Sequence, residues 1–120
     1  MTPGAPASPV RARAVAECID APAHAGPLGG AARVGEAAAE GRIVRLGVWR
    51  DGDAVRARFR ASACASLIAY AETACEALEA GARPDAGALR ALVLGVHPRH
   101  LDRADLVAAA VRAALTPEPA

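Results

Sequence analysis

Lysine is absent from this chain of 120 residues, so its 14 basic residues other than histidine are all arginine. That excludes a Schiff-base lysine and a P-loop lysine, and Gly29-Gly30 therefore does not open a phosphate cradle. Cysteine is scarce: Cys18, Cys64 and Cys75 make an odd count with no CxxC pair. That argues against a disulfide framework and against a closed zinc site of several thiolates. No apolar run reaches the roughly 18 to 20 residues that span a bilayer. The N-terminal stretch holds arginines without a continuous apolar core, so it does not read as a secretory signal. The formal net charge of +1 gives no general attraction to nucleic acid or to an anionic membrane surface. The expectation is a cytoplasmic, reduced protein with neither kind of partner.

One small domain fits this length. We read a disordered lead over 1–9, a single domain over 10–115 and a proline-broken tail over 116–120. The most informative stretch runs from Ala54 to Gly81. Val55, Ala57, Phe59, Ala61 and Ala63 alternate with Arg56, Arg58, Arg60 and Ser62, as a half-buried strand requires. From Cys64 the period becomes helical. Leu67, Ala71, Ala74, Cys75 and Leu78 share one face; Ser66, Glu72, Thr73, Glu76 and Glu79 take the other. Gly81 then stands where a helix C-cap belongs.

Upstream, Val10–Ile19 predicts a short helix, 20–30 a loop, Ala31–Val34 a short strand, and Gly35–Gly41 a small, flexible loop. Arg42–Trp49 alternates as a second strand. With Asp51-Gly52 as the two residues of a type I′ turn, Val48 faces Val55, Leu46 faces Ala57 and Val44 faces Phe59. Downstream, Asp85 caps a helix carrying Leu89, Leu92 and Val93 that stops near Gly95. Val96–Leu101 is a loop with His97 and His100, and Asp102 caps a last helix with Leu106, Val107, Ala110, Val111, Ala114 and Leu115 on its buried stripe. The fold class is α+β: a small, three-stranded, mainly antiparallel sheet with helices packed on one face.

Cys64 is the leading site candidate, because a thiol in the first turn of a helix meets free N–H groups and the positive end of the dipole. The competing reading is a small buried hydrophobe. Arg56, Arg58 and Arg60 are near in sequence, but alternation points them away from the core face. Cys75 faces the same way as Cys64 but about 16 Å along the axis, so the two cannot share a metal. Cys75 and Cys18 read as core. His97, His100, Glu36 and Glu40 are polar loop residues with no triad or acid–base motif around them, and catalysis is not expected.

The segment ARFRASACASLIAYAETACEALEAG resembles the central block of the iron–sulfur cluster assembly scaffolds, the IscU or NifU N-terminal family. Ala57-Arg58-Phe59, Cys64, Ile68-Ala69 and Gly81 match without a gap. Pro22, Gly26 and Leu28 match an upstream stretch, and Pro98 and Val107–Leu115 a downstream one. The resemblance spans about Pro22 to Leu115 and is shorter by a helix after Gly81. It implies a site of three cysteines and an aspartate that builds and hands on a [2Fe–2S] cluster. Here Cys64 stands at one of those positions and Glu40 replaces the aspartate, while Ala38 and Arg103 occupy the other two cysteine positions. Cys64, Glu40, Asp102 and His100 are thus the candidate metal ligands, for iron or a transient cluster. Arg103 is a permanent cation that repels iron and suits an anion.

Three readings follow from the resemblance. The first is a scaffold-like protein that holds iron weakly through Cys64 and Glu40. The second is an adaptor that binds a cysteine desulfurase or another assembly component without a cluster. The third is a thiol protein whose Cys64 accepts sulfur or senses oxidation. A monomer or a weak homodimer is expected.

Overall fold

The computed structural model describes residues 10–116. The lead expected over 1–9, and the tail beyond Thr116, lie outside the described residues. In chain order come β1 (Arg13–Ala14), α1 (Val15–Ile19), β2 (Arg33–Ala39), β3 (Arg42–Asp51), β4 (Ala54–Ala61), α2 (Ala65–Glu79), α3 (Ala86–Leu92), β5 (Val93–Leu94) and α4 (Arg103–Leu115). A turn of 3-10 helix at Pro98–His100 precedes α4. The strands form an antiparallel sheet in the order β2-β3-β4, and β1 pairs in parallel with β5. No helix among the described residues is long and apolar enough to cross a membrane.

Alternation does the work expected of it. Val44, Leu46, Val48, Ala57 and Phe59 are buried on one face of the sheet, against α2 and α4, whereas Arg45, Arg56 and Arg60 remain exposed. The hairpin register differs from the sequence reading by two residues: Val48 faces Ala57, Leu46 faces Phe59 and Val44 faces Ala61. A slip of two keeps every apolar residue on its face, so burial alone cannot detect it. Turn chemistry decides. The loop residues are Gly52 and Asp53, and Gly52 has a φ of +65° while Asp53 has none of positive sign. A glycine of positive φ at the first central position marks a type II′ turn rather than I′.

The loop expected over Gly35–Gly41 is largely strand. β2 begins at Arg33, pairs with β3 as far as Ala39↔Arg42, and turns through Glu40 and Gly41 at φ +52° and +78°. Positive φ at both central residues is the I′ pattern that the other hairpin lacks. The small residues here reflect packing rather than looseness: a Cβ at Gly35 would lie 2.2 Å from the Ala110 carbonyl oxygen of α4. Only glycine lets α4 lie so close to the strand.

α2 forms where its period predicts, with Cys64 as N-cap rather than in the first turn and Gly81 just beyond the C-cap Ala80, but much of its polar face is not solvated. Ser66, Glu72 and Thr73 are buried together with the apolar face, because α1, α4 and the sheet surround the helix. Its end is closed by Gly81 at φ +88°, with Gly81 N–H donating to Leu78 O and Ala82 N–H to Ala77 O. This is the Schellman pattern. The helix predicted over Val10–Ile19 is confined to α1, since Arg13 and Ala14 pair with Val93 and Leu94. That same pairing ends α3 at Leu92, short of Gly95. Asp85 caps α3 as expected, accepting from Ala88 N–H.

Candidate functional site

Strand β4 ends at Ala61, and three residues later Cys64 takes the N-cap position of α2 with extended backbone. Its carbonyl accepts from Ile68 N–H. The thiol lies near the free Leu67 N–H without closing a capping bond. Two guanidinium groups approach the sulfur as well: Arg103, from the first position of α4, and Arg42, from the first position of β3. Partial burial pushes the Cys64 thiol up, but the Leu67 N–H and the two arginines outweigh it and leave the thiol below its ordinary value. The other two thiols are buried, and burial pushes Cys75 far up. The arginines that act on Cys64 are thus not Arg56, Arg58 and Arg60 of the adjoining strand. They come from the far ends of two other elements.

Arg103 is held in an unusual way. Its side chain is 9 % exposed, one terminal nitrogen donates to the Asp102 carboxylate, and its buried Nε has no hydrogen-bond partner. Asp102 stands at the N-cap of α4, but its carboxylate serves Arg103 rather than the helix N–H groups. The expected cap is therefore an ion pair. Arg103, Asp102, Arg42, Glu40 and Ala38 line one shallow cleft of about 430 Å³ between the β2–β3 turn and α4. Glu40 is exposed at the tip of that turn, and His100 bonds Ser66 Oγ through Nδ1 at 3.2 Å in the first turn of α2. The four candidate ligands thus gather around the same end of the molecule. Among the described residues, however, no three His, Cys, Asp or Glu side chains form a metal-binding group.

A second polar cluster went unread in the sequence. His24 donates its backbone N–H to Glu72 Oε1 at 2.8 Å, places Nδ1 at 2.5 Å from Glu72 Oε2, and Nε2 at 2.8 Å from Glu79 Oε1. An imidazolium donates from both ring nitrogens, and this is the form of the ring that two carboxylates favour. The bond to Glu72 holds His24 above its usual value against the opposing effect of burial, and Glu79 adds to it. Glu79 also accepts from Ala57 N–H and Arg58. The cluster pins residues 24–26 along the open edge of β4, where Phe59 N–H donates to His24 O and Gly26 N–H to Phe59 O.

No family model matches this chain, and no curated protein matches it. Its chemistry rests on the geometry above. Arg42 carried no signal in the sequence, since its approach to Cys64 exists only through the sheet. Glu72 had a faint one: Ile68, Ala69, Tyr70 and Ala77 make α2 apolar nearly all round, and a helix of that kind is buried on every side.

Proposed function

We propose that this chain is a scaffold-like protein of iron–sulfur cluster assembly whose working group is the Cys64 thiol, acting as an acceptor of sulfur. The observation that carries this reading is a single thiol at a helix N-cap, flanked by Arg42 and Arg103. Support for the family part comes from the residues matched between Pro22 and Leu115, and from the three-stranded antiparallel sheet with Cys64 at the switch from β4 to α2.

The donor set does not fit a [2Fe–2S] cluster. Two irons take four ligands, normally thiolates; here the remaining cysteine positions are Ala38 and a buried Arg103, whose charge opposes ferrous iron. The same charge favours a sulfur anion. In the proposed step the Cys64 thiolate attacks the terminal sulfur of a persulfide on a cysteine desulfurase. A new S–S bond forms at Cys64, the donor's S–S bond breaks, and the donor leaves as a thiolate. Arg103 and Arg42 then face the anionic end of the Cys64 persulfide. The adaptor reading is separated from this one by Cys64→Ala, which leaves desulfurase binding intact in either case but abolishes sulfur uptake only here.

The test is anaerobic incubation with a desulfurase and cysteine, followed by mass spectrometry of the intact chain and of its peptides. The expected result is the addition of sulfur to Cys64, with Cys18 and Cys75 unmodified in the folded protein, and a slower reaction in Arg103→Gln. Absence of sulfur on Cys64 while Cys18 or Cys75 reacts overturns the assignment. A stable cluster that survives Cys64→Ala overturns it too.

A further inference from the structure

At the end of the sheet remote from Cys64, the helix-facing rows finish in arginine. Arg33 sits directly opposite Val48, and Arg50 lies two residues beyond Val48, so both continue the face that carries Val44 and Leu46. α4 has ended there at Leu115, and no helix covers them. Arg83, from the connection between α2 and α3, completes a group of three around a groove of about 830 Å³. The floor is alanine and leucine: Ala31, Ala113 and Leu115. Among the described residues no carboxylate lines the groove, and none of the three arginines takes part in an ion pair. Arg33 donates only to the Thr116 carbonyl, and all three are exposed. Arg13, Arg45, Arg58, Arg90 and Arg103 each have a carboxylate partner, and other arginines such as Arg56 and Arg60 have none, so what marks Arg33, Arg50 and Arg83 is their gathering around one groove.

We infer that this groove docks an extended, acidic segment of a partner protein. Guanidinium groups from three separate elements, held together without a counter-charge, match carboxylates spaced along a chain. The apolar floor accepts the small or aliphatic side chains between them. The sheet edge favours a peptide over a small anion. β4's edge is occupied by residues 24–26, whereas β2, whose first residues border the groove, is the uncovered edge strand of the sheet. This surface is independent of the Cys64 reading.

The experiment uses the full chain and a fluorescein-labelled peptide alternating glutamate and valine, read by anisotropy at low ionic strength. The glutamine–valine peptide serves as a control and inorganic phosphate as a competitor. Binding of the acidic peptide alone is expected, with roughly three- to tenfold weaker affinity in each of Arg50→Gln and Arg83→Gln and further loss in the double variant. Arg56→Gln and Arg60→Gln on the opposite face remove the same charge and are expected to leave binding unchanged. Neither the Arg50 nor the Arg83 side chain makes a described hydrogen bond, and circular dichroism verifies that the variants remain folded. Equal weakening by the outer-face variants overturns the proposal, because it means unspecific attraction. Phosphate that displaces the peptide at equal concentration overturns it as well, since the groove is then a small-anion site. Binding that appears only after removal of residues 117–120 assigns the groove to the chain's own tail and likewise refutes a partner.

Discussion

Replacing His24 with alanine isolates the cluster that ties the 20–30 connection to α2 and β4. The variant keeps the backbone N–H that donates to Glu72 Oε1, but it removes the imidazolium from Glu72 Oε2 and from Glu79 Oε1. Glu72 is 2 % exposed, so water does not replace the lost donor. An unmet group of this kind costs about 1–3 kcal/mol, and a buried charge left without its partner about 3–5 kcal/mol. The surviving backbone donor places Glu72 between those limits. Glu79 is partly exposed and retains Ala57 N–H and Arg58, so it contributes less than about 1 kcal/mol. His24→Ala is therefore expected to lose about 2–4 kcal/mol, a large share of the roughly 5–15 kcal/mol that holds a domain together.

The same geometry fixes a pH dependence. The folded pKa of His24 is raised above the ordinary 6.5, mainly by Glu72, so its contribution is complete below that value and is lost as pH rises through the folded one. Glu79 behaves oppositely. Burial opposes its ionisation, but the Ala57 N–H, His24 and Arg58 prevail and hold it below 4.5, so its contribution is present above 4.5 and lost as pH falls through the folded value. The difference in stability between the parent chain and His24→Ala should thus peak between 4.5 and 6.5 and shrink on the alkaline side. Urea unfolding followed by circular dichroism, from below 4.5 to the alkaline side of the folded His24 value, measures it. A loss smaller than about 1 kcal/mol, or a difference that does not change with pH, refutes the reasoning.

Two core positions give sharper tests of packing. Gly35→Ala drives a Cβ into Ala110 O and Ala114 N, both backbone atoms 2.2 Å away, and should cost at least the upper end of the usual overpacking range of about 1–3 kcal/mol. A neutral result in urea unfolding means that α4 is free to move off β2. Tyr70→Phe removes a buried hydroxyl that has no hydrogen-bond partner among the described residues. It should raise the unfolding midpoint, with a gain of about 1 kcal/mol, and a loss of that size means that the hydroxyl is satisfied after all.

Where periodicity carried information, the fold was legible. The alternation from Val44 to Phe59 identified the two strands and their buried face, and the change of period at Cys64 placed the start of α2. The failures share a cause. Periodicity reports which face is buried, not what lies against it. A two-residue slip in the hairpin leaves the faces unchanged, so only the turn at Gly52 fixes it. Gly35 and its neighbours read as a loop because small residues suit either a flexible chain or a close helix contact, and only α4 decides between them. Glu72 read only as a member of the polar face, since a helix shows that stripe without showing that other elements enclose it.

The Cys64 end was legible in a narrower sense. Position alone marked the thiol, because an N-cap supplies free N–H groups whatever the rest of the fold does. What the thiol is suited for depends on residues brought from 22 positions before it and 39 after it, Arg42 and Arg103. Arg103 is the informative one. A guanidinium buried beside a thiol opposes a ferrous ion and stabilises an anionic sulfur, and its Asp102 partner is the exposed member of the pair, where water screens its charge. Its Nε is buried without a partner, so no neighbouring carboxylate fully satisfies the group. Had a thiol occupied that position, it would stand beside Cys64 as a second soft ligand for iron. With arginine there, the end of the molecule where the family resemblance implies a metal site is electrostatically suited to a sulfur anion. One side chain thus separates the reading of the fold from the reading of its chemistry.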